Sequence, residues 1–255
     1  MNAPMAGQPL LSILRCARPI LFYNQSYDYP YSTSGTAFIL RFLGRLFIVT
    51  AKHALRLCDF EANQFRVQYH LTRPEMLPVQ ALYLPGGPQL QDADQNDLAV
   101  WDVDTAQIVE DLFGEYAPYD LDRQEWFEQI NPESDFLYSG YPIQVRNIDF
   151  QRRHYNQDSI SGAATYIGPS QSMARVHEVH FRNLGDLTDI DGLSGSPVFE
   201  TRPLHGQVSR ASLAGMLLRG SAASSTGYFL ESSRVVEMLV EIAMGRVNER
   251  YDLPR

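Results

Sequence analysis

The sequence predicts an all-β protein, folded as a sandwich or a barrel, with one helix near its C-terminal end. Strand-like runs are short and numerous, turn residues such as Gly, Pro, Asn and Asp separate them, and the convincing helical pattern follows the last of them. A chain of 255 residues can bury a full-sized core, and all-β folds of this length occur as one unit. We therefore expect a single domain over residues 1–255.

The first predicted element is a hairpin. The run from Gly35 to Thr50 is rich in aromatic and β-branched residues and is interrupted at Gly44, where the chain can turn tightly. Further strand-like runs follow at 65–71, 79–84, 98–103, 136–141, 163–167, 175–181, 212–218 and 228–230, and a short amphipathic segment is predicted at 123–130.

The last predicted element is a helix at 232–245. Ser232 or Ser233 can cap its start, and Gly245 stands where a helix normally ends. The apolar residues that recur at helical spacing are Val235, Leu239 and Ile242. We therefore expect the strands to be followed by a single helix.

The formal net charge of −9 is concentrated in one stretch. Between Asp102 and Asp135 there are eleven acidic residues against the single Arg123, a local balance of −10, so the rest of the chain is close to neutral. This distribution argues against nucleic acid as a general partner. A solvated connector is the favoured interpretation of the stretch, and a docking site for a basic partner is the alternative.

The cysteines and the hydropathy pattern indicate the cellular compartment in which the protein is expected. Cys16 and Cys58 are too few for a disulfide framework, so a reducing cytoplasm is expected. No positive charge precedes the apolar run at 10–14, which makes a poor signal peptide. Because no apolar segment approaches the roughly 18 residues that a membrane span needs, we expect no membrane partner.

A candidate nucleophile lies in the stretch DGLSGSPVF at 191–199. A serine flanked by glycines, here Ser194, is typical of an ordinary turn and also of a nucleophile loop. A serine hydroxyl becomes a good nucleophile only when a base takes its proton, and imidazole, with a pKa of roughly 6.5, suits that role near neutral pH. Of the six histidines, His53 follows a predicted strand in FIVTAKHAL, where a side chain can face a cleft.

The third candidate residue is a carboxylate. Asp97 lies in QNDLAVWDV, where a polar loop leads into an apolar strand, so it either caps that strand or lies at a buried edge. A carboxylate beside an imidazole holds its tautomer and balances the charge that forms in the reaction. The order His53, Asp97, Ser194 makes these three residues a candidate triad.

The flanking segments resemble trypsin-like (chymotrypsin-fold) serine peptidases. FIVTAKHA resembles the segment around the histidine of that family, NDLAV the aspartate segment, and GLSGSPV the nucleophile loop. GTAFIL resembles the first strands, SGYP at 139–142 the opening strand of the second barrel, LAGMLLRG at 213–220 the substrate-lining strand, and 228–245 the closing strand and helix. The resemblance spans about residues 33–245.

The resemblance implies two six-stranded antiparallel barrels with the active site in the cleft between them. The N-terminal barrel would cover about 20–103, the acidic connector 104–134, the C-terminal barrel 135–231 and the helix 232–245. No cofactor and no metal are implied, and the substrate would be a protein or peptide.

In this arrangement Ser194 attacks a carbonyl and forms an acyl-enzyme, His53 carries the proton, and Asp97 orients His53. The backbone N–H groups of Gly192 and Ser194 would form the oxyanion hole.

Several residues depart from the pattern of the family. Leu193 replaces the aspartate that pairs with a freed N-terminus in secreted members, so that activation switch is not expected. Ala54 replaces a common cysteine, as in an intracellular, disulfide-free bacterial-type branch, and Ser196 replaces a glycine. Leu218 replaces a serine whose hydroxyl commonly bonds the triad aspartate, and Arg219 replaces an aromatic residue on the substrate wall.

The resemblance also suggests a specificity pocket. Thr188 would form its floor, Gly220 its open mouth and Gly227 its rear, with Leu218 and Arg219 on the wall. A polar floor without fixed charge favours small or medium uncharged residues before the scissile bond, because a buried cation without a partner is costly. If the loop were shifted by one position, Asp189 would enter the pocket and select Arg or Lys; otherwise it faces solvent.

Two other interpretations of the sequence are a metal site at two histidines and a binding function without catalysis. His177 and His180 are three apart on a predicted strand, so they point to opposite faces and a metal site is not favoured. A protease-like fold used as a binding or effector scaffold is the competing function, because fold does not fix function. The sequence does not identify a regulatory protein partner.

Overall fold

The computed structural model describes residues 9–23, 31–55, 64–72, 75–85, 94–123, 130–149, 154–204, 207–247 and 250–253. The strands are β1 (Ala17–Tyr23), β2 (Tyr31–Phe42), β3 (Arg45–Thr50), β4 (Phe65–Arg66), β5 (Val79–Tyr83), β6 (Ala99–Val103), β7 (Tyr119–Asp120), β8 (Asp135–Gly140), β9 (Arg146–Asp149), β10 (His154–Gln157), β11 (Ile160–Pro169), β12 (Val176–Phe181), β13 (Pro197–Leu204), β14 (Gln207–Ser221), β15 (Thr226–Glu231) and β16 (Arg250–Asp252). The helices are α1 (Pro9–Leu14) and α2 (Ser232–Ala243). The expectation of a mostly-β fold followed by a C-terminal helix is confirmed.

The C-terminal lobe is a closed barrel of six strands. Its order is β11-β12-β15-β14-β13-β8, and every neighbouring pair is antiparallel. Closure leaves no unpaired edge in this sheet. A separate two-stranded hairpin, β9 and β10, was not predicted.

The N-terminal lobe is a half-barrel sheet of eight strands where six were predicted, and together with the closed C-terminal barrel it confirms the predicted two-barrel architecture. Its path runs β16-β5-β6-β3-β2-β1-β4, and β7 pairs in parallel with β2. The two ends of this path approach each other, because the residues that follow β4 pair with those that precede β5: Gln68 and Met76 form an antiparallel bridge, and the Leu77 N–H donates to Val67 O at 2.8 Å. The C-terminal strand β16 pairs with β5 and satisfies the backbone groups of that edge.

The predicted hairpin at 35–50 is confirmed as β2 and β3. Leu43 and Gly44, with φ of 50° and 69°, connect the two strands. Positive φ at both central residues is the requirement of a type I′ turn, whose twist matches that of the paired strands.

The C-terminal helix is shorter than the predicted 232–245. Its N-cap is Glu231 rather than a serine, and helical structure ends at Ala243. Gly245 has a φ of 65°, which favours glycine just after a helix. The predicted apolar positions are buried in a core that contains residues of both lobes: Val235, Leu239 and Ile242.

The acidic segment runs along the N-terminal lobe. It forms two short 3₁₀ turns, Thr105–Gln107 and Glu110–Leu112, before β7. Glu110 pairs with Arg41, and the Asp122 carboxylate accepts the N–H groups of the hairpin turn. Most of the amphipathic segment predicted at 123–130 lies outside the described residues.

Candidate active site

A cleft of about 370 Å³ brings residues of both lobes together. His53 and Asp97 reach it from the N-terminal sheet, and Ser194 reaches it from the C-terminal barrel. The other lining residues are Asp94, Ile190, Asp191, Leu193, Leu217, Arg219 and Gly220.

Strand pairing explains why His53 and Asp97 meet. β3 and β6 are antiparallel neighbours, with Thr50 opposite Ala99, so the end of β3 lies beside the start of β6. His53 lies in the 3₁₀ turn that follows β3, and Asp97 lies between a 3₁₀ turn at 94–96 and β6. The pairing therefore places two residues that are 44 positions apart at one corner of the sheet.

Two hydrogen bonds join these residues. The His53 backbone N–H donates to Asp97 Oδ1 at 2.9 Å, and His53 Nδ1 lies 2.6 Å from Asp97 Oδ2. Burial alone would raise the pKa of the Asp97 carboxyl, but the bonds from His53 and the charge of Lys52 outweigh it and the pKa is lowered. Because Nδ1 is engaged with a carboxylate, Nε2 is the ring nitrogen left for a serine hydroxyl.

The lowered pKa of Asp97 makes the folded state more stable at neutral pH than at acidic pH. The stabilisation is fully present above the ordinary carboxyl value of about 3.9 and is lost as pH falls through the lower folded-state value. Asp97 is therefore charged throughout the neutral range, as the triad hypothesis requires.

The Ser194 loop is tied to both lobes. The Ser194 carbonyl accepts the Thr36 N–H at 3.0 Å, and the Gly195 N–H donates to Leu217 O at 2.7 Å. Gly195 has a φ of 88°, and a Cβ there would overlap the Thr36 carbonyl. A residue without a side chain is therefore needed directly after Ser194.

The predicted oxyanion-hole residue Gly192 lies in a type II turn. Leu193 N donates to Ile190 O at 3.0 Å, and the φ of Gly192 is 96°, as the third position of that turn requires. The Asp191 carbonyl accepts the Ile143 N–H at 2.7 Å. Because the C=O and N–H of a trans peptide point in opposite directions, the Gly192 N–H points away from Ile143.

The two predicted oxyanion donors have no acceptor within the described parts of the chain: neither the Gly192 N–H nor the Ser194 N–H donates a hydrogen bond there. A Cβ on Gly192 would lie 2.6 Å from Tyr141 O and 2.8 Å from Ile143 N. Both the space and the positive φ therefore restrict this position to glycine.

Thr36 is a residue that sequence reasoning missed. It is fully buried, and its hydroxyl donates to Gly192 O at 2.7 Å while accepting the Tyr141 N–H at 2.8 Å. Its backbone N–H holds the Ser194 carbonyl. One threonine of the N-terminal sheet thus holds the carbonyl groups of both Gly192 and Ser194.

The structure does not place the predicted pocket floor in the cleft. Thr188 and Asp189 are exposed, and their N–H groups donate to Gln144 Oε1 at 2.9 and 3.0 Å. Asp189 Oδ1 also accepts the Asp191 N–H at 2.9 Å. These bonds wrap the 188–189 backbone around Gln144 on the outside of the lobe, so neither residue lines the cleft.

Apolar side chains fill the space where the pocket was expected. A Cβ on Gly220, the predicted mouth, would lie 2.6 Å from Ile190 Cδ1. Gly227, the predicted rear, faces the Phe181 ring and Leu217, with a Cβ at 2.9 Å from Phe181 Cε2. Ile190 therefore occupies the space directly beside Gly220 in the lining of the cleft.

The two residues on the predicted wall have different positions. Leu218 is fully buried at a β-bulge in β14 and does not line the cleft. Arg219 lines it and reaches across to the other lobe, where Nη1 and Nη2 lie 2.6 and 2.8 Å from the two carboxylate oxygens of Asp94. Asp94 was missed, although its position three residues before Asp97 is the spacing of one 3₁₀ turn.

The histidines of β12 are separate from this cleft. His177 is largely buried, and Tyr166 Oη lies 2.9 Å from its Nδ1, whereas His180 is exposed. Burial lowers the pKa of His177, against the opposing effect of Glu231. In the described part of the chain no three His, Cys, Asp or Glu side chains are grouped as metal ligands would be.

Comparison with known proteins supports the fold. A scan of the sequence against protein-family models finds no match, and a comparison with curated proteins finds none either. Similar solved structures include the scabies mite inactivated protease paralogue S-I1, 17% identical over 92% of this chain and 96% of that chain, with a TM-score of 0.61. Scabies mite inactivated protease paralogue S-D1 is 15% identical over 92% and 94%, with a TM-score of 0.60. At this identity the likeness establishes the trypsin-like, two-lobed fold and nothing finer.

The structure also bears on membrane helices. Within the described ranges, no helix combines the length and the apolar character needed to cross a bilayer.

Proposed function

We propose that the protein is a serine endopeptidase with His53, Asp97 and Ser194 as its catalytic triad. The observation that carries the proposal is the hydrogen-bonded His53–Asp97 pair in one cleft with Ser194, beside two backbone N–H groups that have no partner in the described chain. A cytoplasmic location and a protein or peptide substrate belong to the same proposal.

The proposed reaction follows from this geometry. Ser194 Oγ attacks the peptide carbonyl while its proton passes to His53 Nε2, and the N–H groups of Gly192 and Ser194 stabilise the oxyanion. The imidazolium then gives that proton to the leaving amine, which leaves an acyl-enzyme. Water then attacks the acyl-enzyme carbonyl and gives a proton to His53. His53 passes this proton to Ser194 Oγ as the ester bond breaks, which releases the acid and free Ser194. Asp97 stays ionised throughout and balances the imidazolium charge.

A fluorophosphonate probe and a denatured-proteome digest test this proposal together. Wild type should be labelled at Ser194 and should cleave, whereas Ser194→Ala and His53→Ala should each lose hydrolysis while keeping their circular dichroism. Full activity in purified Ser194→Ala would exclude this triad.

A protease-like binding or effector scaffold is the second candidate. It is favoured by one observation, because both solved structures named above are described as inactivated protease paralogues. Absence of both labelling and cleavage in a folded wild-type protein would support this candidate over the peptidase.

The substrate side chain before the scissile bond is proposed to be small and uncharged. Ile190 lies against the backbone of Gly220 and belongs to the same buried cluster as Leu217 and Phe181. A long side chain would have to displace this packed cluster. Asp189 faces solvent and is therefore not expected to select Arg or Lys.

A further inference from the structure

The Asp97 carboxylate has few groups to orient it. Both hydrogen bonds that it accepts from the described residues come from His53. Leu218, which stands where the resembling family carries a hydroxyl, is buried and offers no polar atom. Apart from its bonds to His53 and the nearby charge of Lys52, the position of the carboxylate depends on the backbone that carries it.

That backbone is a single short turn. Asp94, Gln95 and Asn96 form a 3₁₀ helix, and the Asp97 N–H donates to Asp94 O at 3.0 Å. One 3₁₀ turn has few internal hydrogen bonds and is weakly stable alone. Its position next to His53 therefore needs outside contacts.

Two arginines of the other lobe supply such contacts. Arg219 of β14 makes a bidentate ion pair with Asp94, at 2.6 and 2.8 Å. Arg234 of α2 donates from Nε to Gln95 O at 3.2 Å, and its side chain is only 11% exposed. The turn is thus held at two successive residues by the lobe that carries Ser194.

We infer that Arg219 and Arg234 are positioning residues, which fix the 94–97 turn and so aim the Asp97 carboxylate at His53. Planar guanidinium groups suit this role because a bidentate pair sets orientation as well as distance. The same contacts set His53 and Asp97 in register with Ser194 across the cleft. The inference rests on the proposed triad, but its geometry can be measured without any hydrolysis.

The test is solution NMR of the His53 Nδ1 proton in the Ser194→Ala background. Exchange of this proton with water reports how well Asp97 holds it. Arg219→Met and Arg234→Met keep the apolar stems and remove the guanidinium groups, and we expect exchange at least fivefold faster than in the parent. Arg219→Lys, which keeps the charge but cannot form a bidentate pair, should give an intermediate rate.

Arg182→Met is the matched control. Arg182 is an arginine of the same lobe that pairs with Asp135, is 44% exposed against 50% for Arg219, and does not line the cleft. Its exchange rate should stay within twofold of the parent. If Arg219→Met and Arg234→Met exchange no faster than Arg182→Met, the inference is wrong.

Asp94→Asn provides a second measurement if Arg219→Met does not fold. It should accelerate exchange in the same direction, and combining it with Arg219→Lys should add little, because both changes act on one ion pair. Unchanged exchange in Asp94→Asn would also overturn the inference.

Kinetics separate this inference from the proposed function. If the protein cleaves peptides, Arg234→Met should lower kcat at least fivefold with KM within twofold, because Arg234 does not line the cleft. If no cleavage is found but the NMR response is present, the peptidase proposal fails and the positioning role stands. If the protein cleaves peptides and the arginine variants exchange at the parent rate, the peptidase proposal stands and the positioning role fails.

Discussion

Thr36 connects the N-terminal sheet to the loop that carries Ser194. Its hydroxyl bonds both Gly192 O and the Tyr141 N–H, and its backbone N–H bonds Ser194 O. Thr36 is fully buried, so water does not reach its hydroxyl. Removing the hydroxyl would leave a carbonyl and an N–H without partners, and such groups are costly to bury.

Thr36→Val tests this role because valine keeps the shape and removes only the hydroxyl. We expect the free energy of unfolding to fall by about 1–3 kcal/mol, the cost of an unsatisfied buried polar group. Fluorophosphonate labelling of Ser194 should slow at least tenfold, since the Gly192 carbonyl loses its bond and the loop that carries Ser194 keeps only one of its two bonds to Thr36. Thr33→Val, at another buried threonine of β2, is the control. Equal labelling rates in the two variants would contradict the role of Thr36.

At the scale of elements, two structures form the wall of the cleft: the turn at 190–193 and strand β14. The turn carries Ile190 and the candidate oxyanion donor Gly192, and β14 carries Leu217, Arg219 and Gly220. Leu217 and Arg219 are two residues apart in β14 and both line the cleft, whereas Leu218 between them is fully buried. One strand therefore supplies both the apolar wall and the cation.

Ile190→Ala should enlarge the range of accepted substrates. Removing the side chain beside Gly220 opens space in the cleft, so cleavage after medium and large apolar residues should rise at least fivefold relative to cleavage after alanine. A peptide-library digest measures this ratio. Leu187→Ala removes another side chain of the same buried cluster that does not line the cleft, and its ratio should match that of wild type.

A library in which the wild-type enzyme already prefers large residues, or in which Arg or Lys dominates and Asp189→Ala abolishes that preference, would contradict the proposed substrate class.

On the scale of the whole molecule, one hydrophobic cluster joins the two lobes and the helix. It contains side chains of the N-terminal sheet, such as Phe38 and Val49, of the C-terminal barrel, such as Phe199 and Met216, and of α2, such as Leu239. A shared core of this kind predicts that the lobes unfold together rather than as independent units.

Cys16 is a natural reporter of that cooperativity, because it is fully buried in the shared cluster. Burial raises the pKa of its thiol to about 12, so the reactive thiolate is scarce near neutral pH in the folded protein. In the unfolded chain the thiol regains an ordinary pKa of about 8.5 and reacts readily.

In a Cys58→Ser variant, labelling of Cys16 by a disulfide reagent at pH 8 should be slow in buffer and should rise along a urea titration together with the loss of circular dichroism. Coincidence of the two transitions is the expected result. Rapid labelling before the circular dichroism changes would show that the shared core opens locally, and it would contradict unfolding as a single unit.

The sequence by itself determined the hairpin, the C-terminal helix and the candidate residues. The β2–β3 hairpin follows from a dense aromatic and β-branched run broken by a glycine, and α2 follows from apolar residues at helical spacing, because these signals act over a few neighbouring positions. His53, Asp97 and Ser194 could be selected from their flanking segments, and their catalytic roles remain predictions.

Only the tertiary structure decided how distant segments meet. The Arg219–Asp94 pair joins residues 125 positions apart, and β16 covers the edge of β5 from the far end of the chain. The position of Thr188 outside the cleft depends on its bonds to Gln144, 44 positions away. Such contacts depend on packing and hydrogen bonding between lobes, which leave no periodic or local trace in the sequence.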